Sequence, residues 1–272
     1  MKASHPVATP AENRSAENVA AIEMHGVTVG AMRDQKTIIA EEVNWRVDAG
    51  EFWAVAGFHG AGKSDLLMLA GGLMAPLRGS YKFLGEEMPL FAEDRLSHQL
   101  KLGLVFDGGR LFNELSIAEN IALPLRYHRN WTREEAEPVV NALLELTDLA
   151  PCANVHPGSL GRNVQRRAAL ARALALKPEV LLLDTPMTGM DRRQQNWWLN
   201  FLKQLSHGHP YYAGQPVTLV VTTPHLRDWR GWAGRFALLE KRRLNVLGDW
   251  SQVEQNDDPL VRELIAPPAS GV

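Results

Sequence analysis

Gly57-Phe58-His59-Gly60-Ala61-Gly62-Lys63-Ser64 sets glycines, a lysine and a hydroxyl at the spacing G-x-x-x-x-G-K-S. That spacing suits phosphate chemistry. Glycines let successive backbone N–H groups turn toward one anion, and a helix that follows adds the positive end of its dipole. Lys63 is then placed to reach outer phosphates, and the Ser64 hydroxyl to hold Mg²⁺. Asp65 comes next. A carboxylate suits the first turn of a helix. Against a phosphate it repels, by ~4 kcal/mol at about 4 Å with an effective dielectric of about 20. Two outcomes are open: weak phosphate binding, or an Asp65 side chain turned away.

The loop needs a strand before it and a helix after it. The apolar run EFWAVAG at 51–57 reads as a buried parallel strand, and DLLMLAGGLM at 65–74 has helical spacing. Alternation at 22–29 and 43–47 predicts half-buried strands of a small antiparallel sheet, with further short strands at 79–85 and 102–106. Helices are expected over 116–127 and 132–149, the second opened by a Thr132/Glu135 capping box. Another helix, over 164–176, carries Arg166, Arg167 and Arg172. VLLL at 180–183 is a buried strand running into Asp184. A helix over 191–206 and strands at 217–221 and 236–239 complete a strand–helix alternation. The fold class is therefore α/β, with a mostly parallel sheet and helices outside it.

Composition narrows the function. The chain has 272 residues and a net charge of −2, so it can bury a stable core and has no broad pull toward nucleic acid. Its one cysteine, Cys152, excludes an intramolecular disulfide and fits a reducing compartment. No apolar run approaches the about 18–20 residues of a membrane span. Residues 1–20 lack the apolar centre of a signal peptide and read as a disordered polar lead-in.

Taken in order, the phosphate loop, RRAALARAL at 166–174, VLLLD at 180–184 and Gly189-Met190-Asp191 resemble an ATP-binding-cassette (ABC) subunit over about 21–265. Leu111-Phe112, ENIALPLR at 119–126, RRAALARALAL at 166–176 and DPLVRELI at 258–265 are similar to the ATPase subunits of Mla-type lipid transporters, which work with MCE proteins. The resemblance implies a P-loop ABC ATPase fold: a parallel core sheet, an antiparallel edge sheet, a helical lobe at about 108–165 and a tail at 266–272. It implies ATP and Mg²⁺ as ligands, with Ser64, Asp107 and Asp184 around the metal. Implied partners are a membrane permease, a second nucleotide-binding subunit and an MCE-type lipid-binding protein. The implied location is peripheral, on the cytoplasmic face of the inner membrane. A short permease helix is expected in a groove near 107–119.

Against that pattern the departures matter. The glutamate that polarises water after Asp184 is replaced by Thr185. A threonine hydroxyl is not basic near neutral pH, and loss of a general base costs ~10²–10⁴-fold in rate. The switch histidine maps to Thr223, and His225, beyond Pro224, is expected to start the next helix. The signature L-S-G-G-Q becomes Leu160-Gly161-Arg162-Asn163-Val164. Arg162 is open to two readings, an exposed or interface side chain and a phosphate contact. Asp107 replaces a glutamine and reads equally as an Mg²⁺ ligand and as a turn residue before two glycines. Val29 and Gly30 stand where the family stacks an aromatic ring on adenine.

Other features carry less. His207 and His209 flank Gly208 as a solvated loop rather than a metal pair. Trp197, Trp198, Trp229, Trp232 and Trp250 are expected in the core or at subunit contacts, and Cys152 as an inert thiol. Three functions stay open: an ATP-binding transporter subunit with weak or absent hydrolysis, an active motor in which Asp107 and Arg162 compensate, and a structural or regulatory pseudo-ATPase of an MCE-type complex. A soluble P-loop kinase is disfavoured by the RRAALARAL helix and the segment at 189–191.

Overall fold

Strict alternation of side chains across a strand explains the centre of the molecule. In a computed structural model that describes residues 19–88 and 95–267, the elements run β1 (Ala20–Gly30), β2 (Ile38–Asp48), β3 (Phe52–Ala56), α1 (Lys63–Ala70), β4 (Arg78–Phe83), β5 (Glu86–Glu87), α2 (Leu96–Gln99), β6 (Leu102–Val105), α3 (Ile117–Arg129), α4 (Arg133–Leu146), α5 (Arg162–Leu174), β7 (Val180–Leu183), α6 (Arg192–His207), β8 (Thr218–Thr223), β9 (Arg235–Glu240), β10 (Arg243–Gly248), α7 (Trp250–Gln255) and α8 (Pro259–Ile265). Six strands form one sheet in the order β10-β9-β3-β8-β7-β6. All of its pairings are parallel except β9 with β10. The strand of the phosphate loop and the strand ending at Asp184 therefore share one parallel sheet, as the alternation predicts; β8 lies between them.

Each central strand is buried on both faces, which is why VLLL and FWAVA are unbroken apolar runs. Phe52, Ala54, Leu181, Leu183, Leu219 and Val221 face one core, with α3 to α6 packed on it. Trp53, Val55, Val180, Leu182 and Val220 face the other, with α1 and the second sheet. That second sheet is antiparallel, in the order β2-β1-β4-β5. Burying one Leu or Val side chain fully is worth ~1.5–3 kcal/mol, so two faces of such residues hold the strand ends in fixed relative positions.

Helix starts follow their caps. Thr132 and Glu135 exchange hydrogen bonds as a capping box for α4. Ser116 and Glu119 do the same for α3, a second box that the sequence reading overlooked although the S-x-x-E spacing is present. Several limits differ from expectation. α1 stops at Ala70 rather than 74, because Gly71-Gly72 follows and Gly72 has a φ of 70°. β10, α2 and α7 were not anticipated: β10 is mostly exposed and α2 and α7 are short, so periodicity barely registers. The lead-in expected at 1–20 lies outside the described residues as far as 18, and Ala20 already opens β1. The expected tail is outside them from 268 onward. Among the described residues no helix is long and apolar enough to cross a membrane.

Candidate functional site

The end of β3 delivers the loop 57–62 to the first residue of α1, Lys63. Gly60 and Gly62 have φ of 80° and 86°, a region that side chains with a Cβ avoid. At Gly62 the demand is also spatial: a Cβ there would lie 2.2 Å from Ile39 Cγ2. At Gly57 a Cβ would lie 2.8 Å from Leu239 O. The glycine pattern thus holds the loop against β2 and β9 while its backbone forms the cradle. Ala61 N–H donates to Phe58 O within the loop, and Phe58 and His59 are exposed on its rim.

Lys63 is 8% exposed and folds back onto the loop, donating to Gly57 O at 2.6 Å and Phe58 O at 2.9 Å. Burial lowers its pKa, and the Asp184 carboxylate opposes that shift. Ser64 Oγ donates to Asp184 Oδ2 at 2.6 Å. Asp184 is buried at the end of β7 and also accepts from Thr222 Oγ1 at 2.8 Å. A hydroxyl and a carboxylate meeting at the mouth of a glycine cradle are hard oxygen donors, and they fit Mg²⁺. Asp65 turns away from the cradle's interior: its Oδ1 accepts the backbone N–H of Met32 at 2.8 Å.

The remaining positions diverge from one another. Thr185 has a φ of 43°, which is strained for a β-branched residue. Its N–H donates to Thr222 Oγ1 at 2.9 Å. Thr223 is buried and closes a local turn: its hydroxyl donates to His225 O at 3.0 Å and accepts from His225 N at 3.2 Å. His225 precedes a 3₁₀ turn over Leu226–Trp229. Thr185, Thr222, Thr223, His225, Asp228 and Gln195 line a cavity of about 240 Å³ beside the end of β7. Burial lowers the His225 pKa and raises that of Asp228. Its Nδ1 is buried without a hydrogen-bond partner. Thr222 and Asp228 were not singled out from sequence; Thr222 could have been, as a hydroxyl near the end of β8, the strand that pairs with β7.

Asp107 shares no hydrogen bond with Ser64 or Asp184. Its Oδ1 accepts from Arg166 Nη2 at 2.6 Å, whereas Ser64 and Asp184 bond each other directly. Within the segment 160–164 the helix starts earlier than expected. The helix was expected from Val164, yet α5 begins at Arg162, so Arg162, Asn163 and Val164 are its first turn. Gln165 explains the early start: its Nε2 binds Pro157 O and Leu160 O, and its N–H closes onto Gly161 O. Arg162 is exposed, and Asn163 Oδ1 accepts from Trp198 Nε1 at 3.1 Å. Leu160 and Gly161 precede the helix in extended backbone.

Residues 40–188 match the ABC transporter family. This chain belongs to that family. It is similar to the intermembrane phospholipid transport system ATP-binding protein MlaF of Haemophilus influenzae, 34% identical over 235 residues, covering 86% of this chain and 87% of the relative. MlaF of Escherichia coli K12 is 30% identical over 234 residues, covering 86% and 85%. The methionine import ATP-binding protein MetN of Bifidobacterium longum is 30% identical too, over 85% of this chain and 57% of the relative. Among solved structures, an ATP-binding cassette dimer in a post-hydrolysis state bound to ADP and Pi superposes with a TM-score of 0.72. It is 27% identical and covers 84% of this chain and 100% of that one. This ABC chain is thus an ATP-binding subunit of a transporter.

Proposed function

We propose that this ABC chain is the ATP-binding subunit of an Mla-like lipid transporter that binds ATP with Mg²⁺ and hydrolyses it slowly or not at all. The lipid assignment is supported by the MlaF relatives, with MetN-like importers as the competing substrate class. The observation carrying the catalytic half is one juxtaposition. Ser64 and Asp184 meet at 2.6 Å, while the next residue, Thr185, brings a hydroxyl and no base. Gly57 to Ser64 would bind the phosphates, and Lys63 would exchange its loop carbonyls for phosphate oxygens. Mg²⁺ would neutralise phosphate charge beside Ser64 and Asp184. Thr223 is committed to His225, so it offers no proton acceptor.

The location proposed is the cytoplasmic face of the inner membrane, with a permease, a second nucleotide-binding subunit and an MCE-type protein as partners. A groove of about 620 Å³ between α3, α4 and the segment 153–156, lined by Ser116, Glu119, Arg126, Arg133, Glu137 and His156, would take a short permease helix. It overlaps the expected 107–119 stretch at Ser116 to Glu119 and extends along α4. Absence of crosslinks from these residues to a permease would rule this docking out.

A second reading, the compensated motor, is favoured by the cavity that His225 and Thr185 both line. Binding of a fluorescent ATP analogue and steady-state phosphate release, by wild type and Lys63→Ala in the reconstituted complex, decide between them. Binding that Lys63→Ala weakens, with turnover near background in both, is expected. Robust wild-type turnover abolished by Lys63→Ala would establish the motor instead. Absent nucleotide binding would leave the pseudo-ATPase.

A further inference from the structure

Among the described residues three charged side chains are buried: Lys63, Asp184 and Arg166. The first two belong to the phosphate site. Arg166, 4% exposed on α5, does not. A guanidinium taken out of water must be met by acceptors, and the two it finds lie on different loops. Nη2 donates to Asp107 Oδ1 at 2.6 Å, just past β6. Nη1 donates to Thr188 O at 2.6 Å, past β7. The β6 loop is also pressed onto α5: a Cβ at Gly109 would lie 2.8 Å from Gln165 O. Thr188 and Gly189 also line, together with Gly161, Arg162, Asn163 and Arg166 itself, a cavity of about 410 Å³.

We propose that Arg166 is a positioning residue, a clamp that uses the Asp107 carboxylate to hold the loop 188–191 and the first turn of α5 as one preset surface for the second nucleotide-binding subunit. The surface's role rests on the proposed function; the clamp itself does not. The chemistry favours a planar fork: one guanidinium spans two acceptors in fixed directions, which an ammonium cannot do. Asp107 has no hydrogen bond to loop 188–191; Arg166 is the side chain that bonds both. The side chain of Asp107 is 55% exposed, so the pair is solvent-screened on that side and its effect is moderate.

Amide hydrogen exchange on the full chain, without nucleotide or partner, tests the clamp. Asp107→Asn is expected to speed exchange at residues 187–191 about three- to tenfold, leaving β3 and β7 unchanged. Arg166→Lys should loosen the same loop, since it keeps the charge and loses the fork. A folded Asp107→Asn whose exchange changes only around residue 107 would overturn the clamp. In the assembled transporter, intersubunit crosslinking through Thr188→Cys, in a Cys152→Ser background, should fall in Asp107→Asn. A loosened loop with unchanged crosslinking would overturn the positioning role. The exchange readout needs neither ATP nor a second subunit, so failure of either to bind counts against the proposed function alone.

Discussion

Asp65 Oδ1 accepts the backbone N–H of Met32 at 2.8 Å, which ties the turn after β1 to the first turn of α1. A carboxylate that would repel phosphate is thereby committed to the backbone beside the cradle. Asp65→Ala should free that turn. Its expected cost is about 0.5–1 kcal/mol in urea unfolding, the net worth of one exposed hydrogen bond. Protection of the Met32 amide against exchange should fall with it. Unchanged protection would show that the bond is not made in solution.

Thr185 carries a backbone strain that its position does not require of every residue. Asn and Gly accept a φ near 43° more readily than a β-branched side chain. Thr185→Asn is expected to stabilise the fold by about 1 kcal/mol, measured by thermal or urea unfolding. Thr185→Glu restores a base beside Asp184 but leaves Thr223 and the segment 160–164 as they are. Groups that act together fail together when one is missing, so phosphate release should stay near background. Turnover rising well above wild type would show that the base alone was limiting.

Gly62→Ala combines a left-handed backbone with a Cβ 2.2 Å from Ile39 Cγ2. Destabilisation of at least ~2 kcal/mol is expected, with loss of nucleotide binding in the same variant. Gly158→Ala is the control, because nothing lies within 4 Å of its Cβ position and its φ is not positive.

Stability should fall on mild acidification. His128, His209 and His225 all have pKa values lowered from an ordinary 6.5, chiefly by burial. For each, the unfolded state takes up protons first. Stability is therefore full above about pH 6.5 and declines as pH falls toward the lower folded-state values. The melting temperature should drop between pH 7 and about pH 5, and His225→Gln should flatten part of that slope. A flat profile across this interval would mean that the three rings stay open to water.

What the sequence determined by itself was local. Glycine spacing specified the cradle, because a left-handed φ and a close backbone approach leave no other residue type. Two-sided burial of VLLL and FWAVA specified parallel strands, because only a sheet covered on both faces buries every position. Thr185 and Thr223 were legible as side chains without a base, since a hydroxyl cannot accept a proton near neutral pH wherever it points. The tertiary structure decided where the replacement groups went. Asp65 faces Met32, and Asp107 faces Arg166, through contacts 33 and 59 residues apart in the chain. No periodicity records such pairs: each depends on how β1 meets α1, and how the end of β6 meets α5. Gln165 likewise drew α5 back to Arg162 by binding carbonyls that only the folded turn presents. A carboxylate's type is written in the chain, but its partner is set by packing, because a charge settles on whichever donor the core brings within about 3 Å.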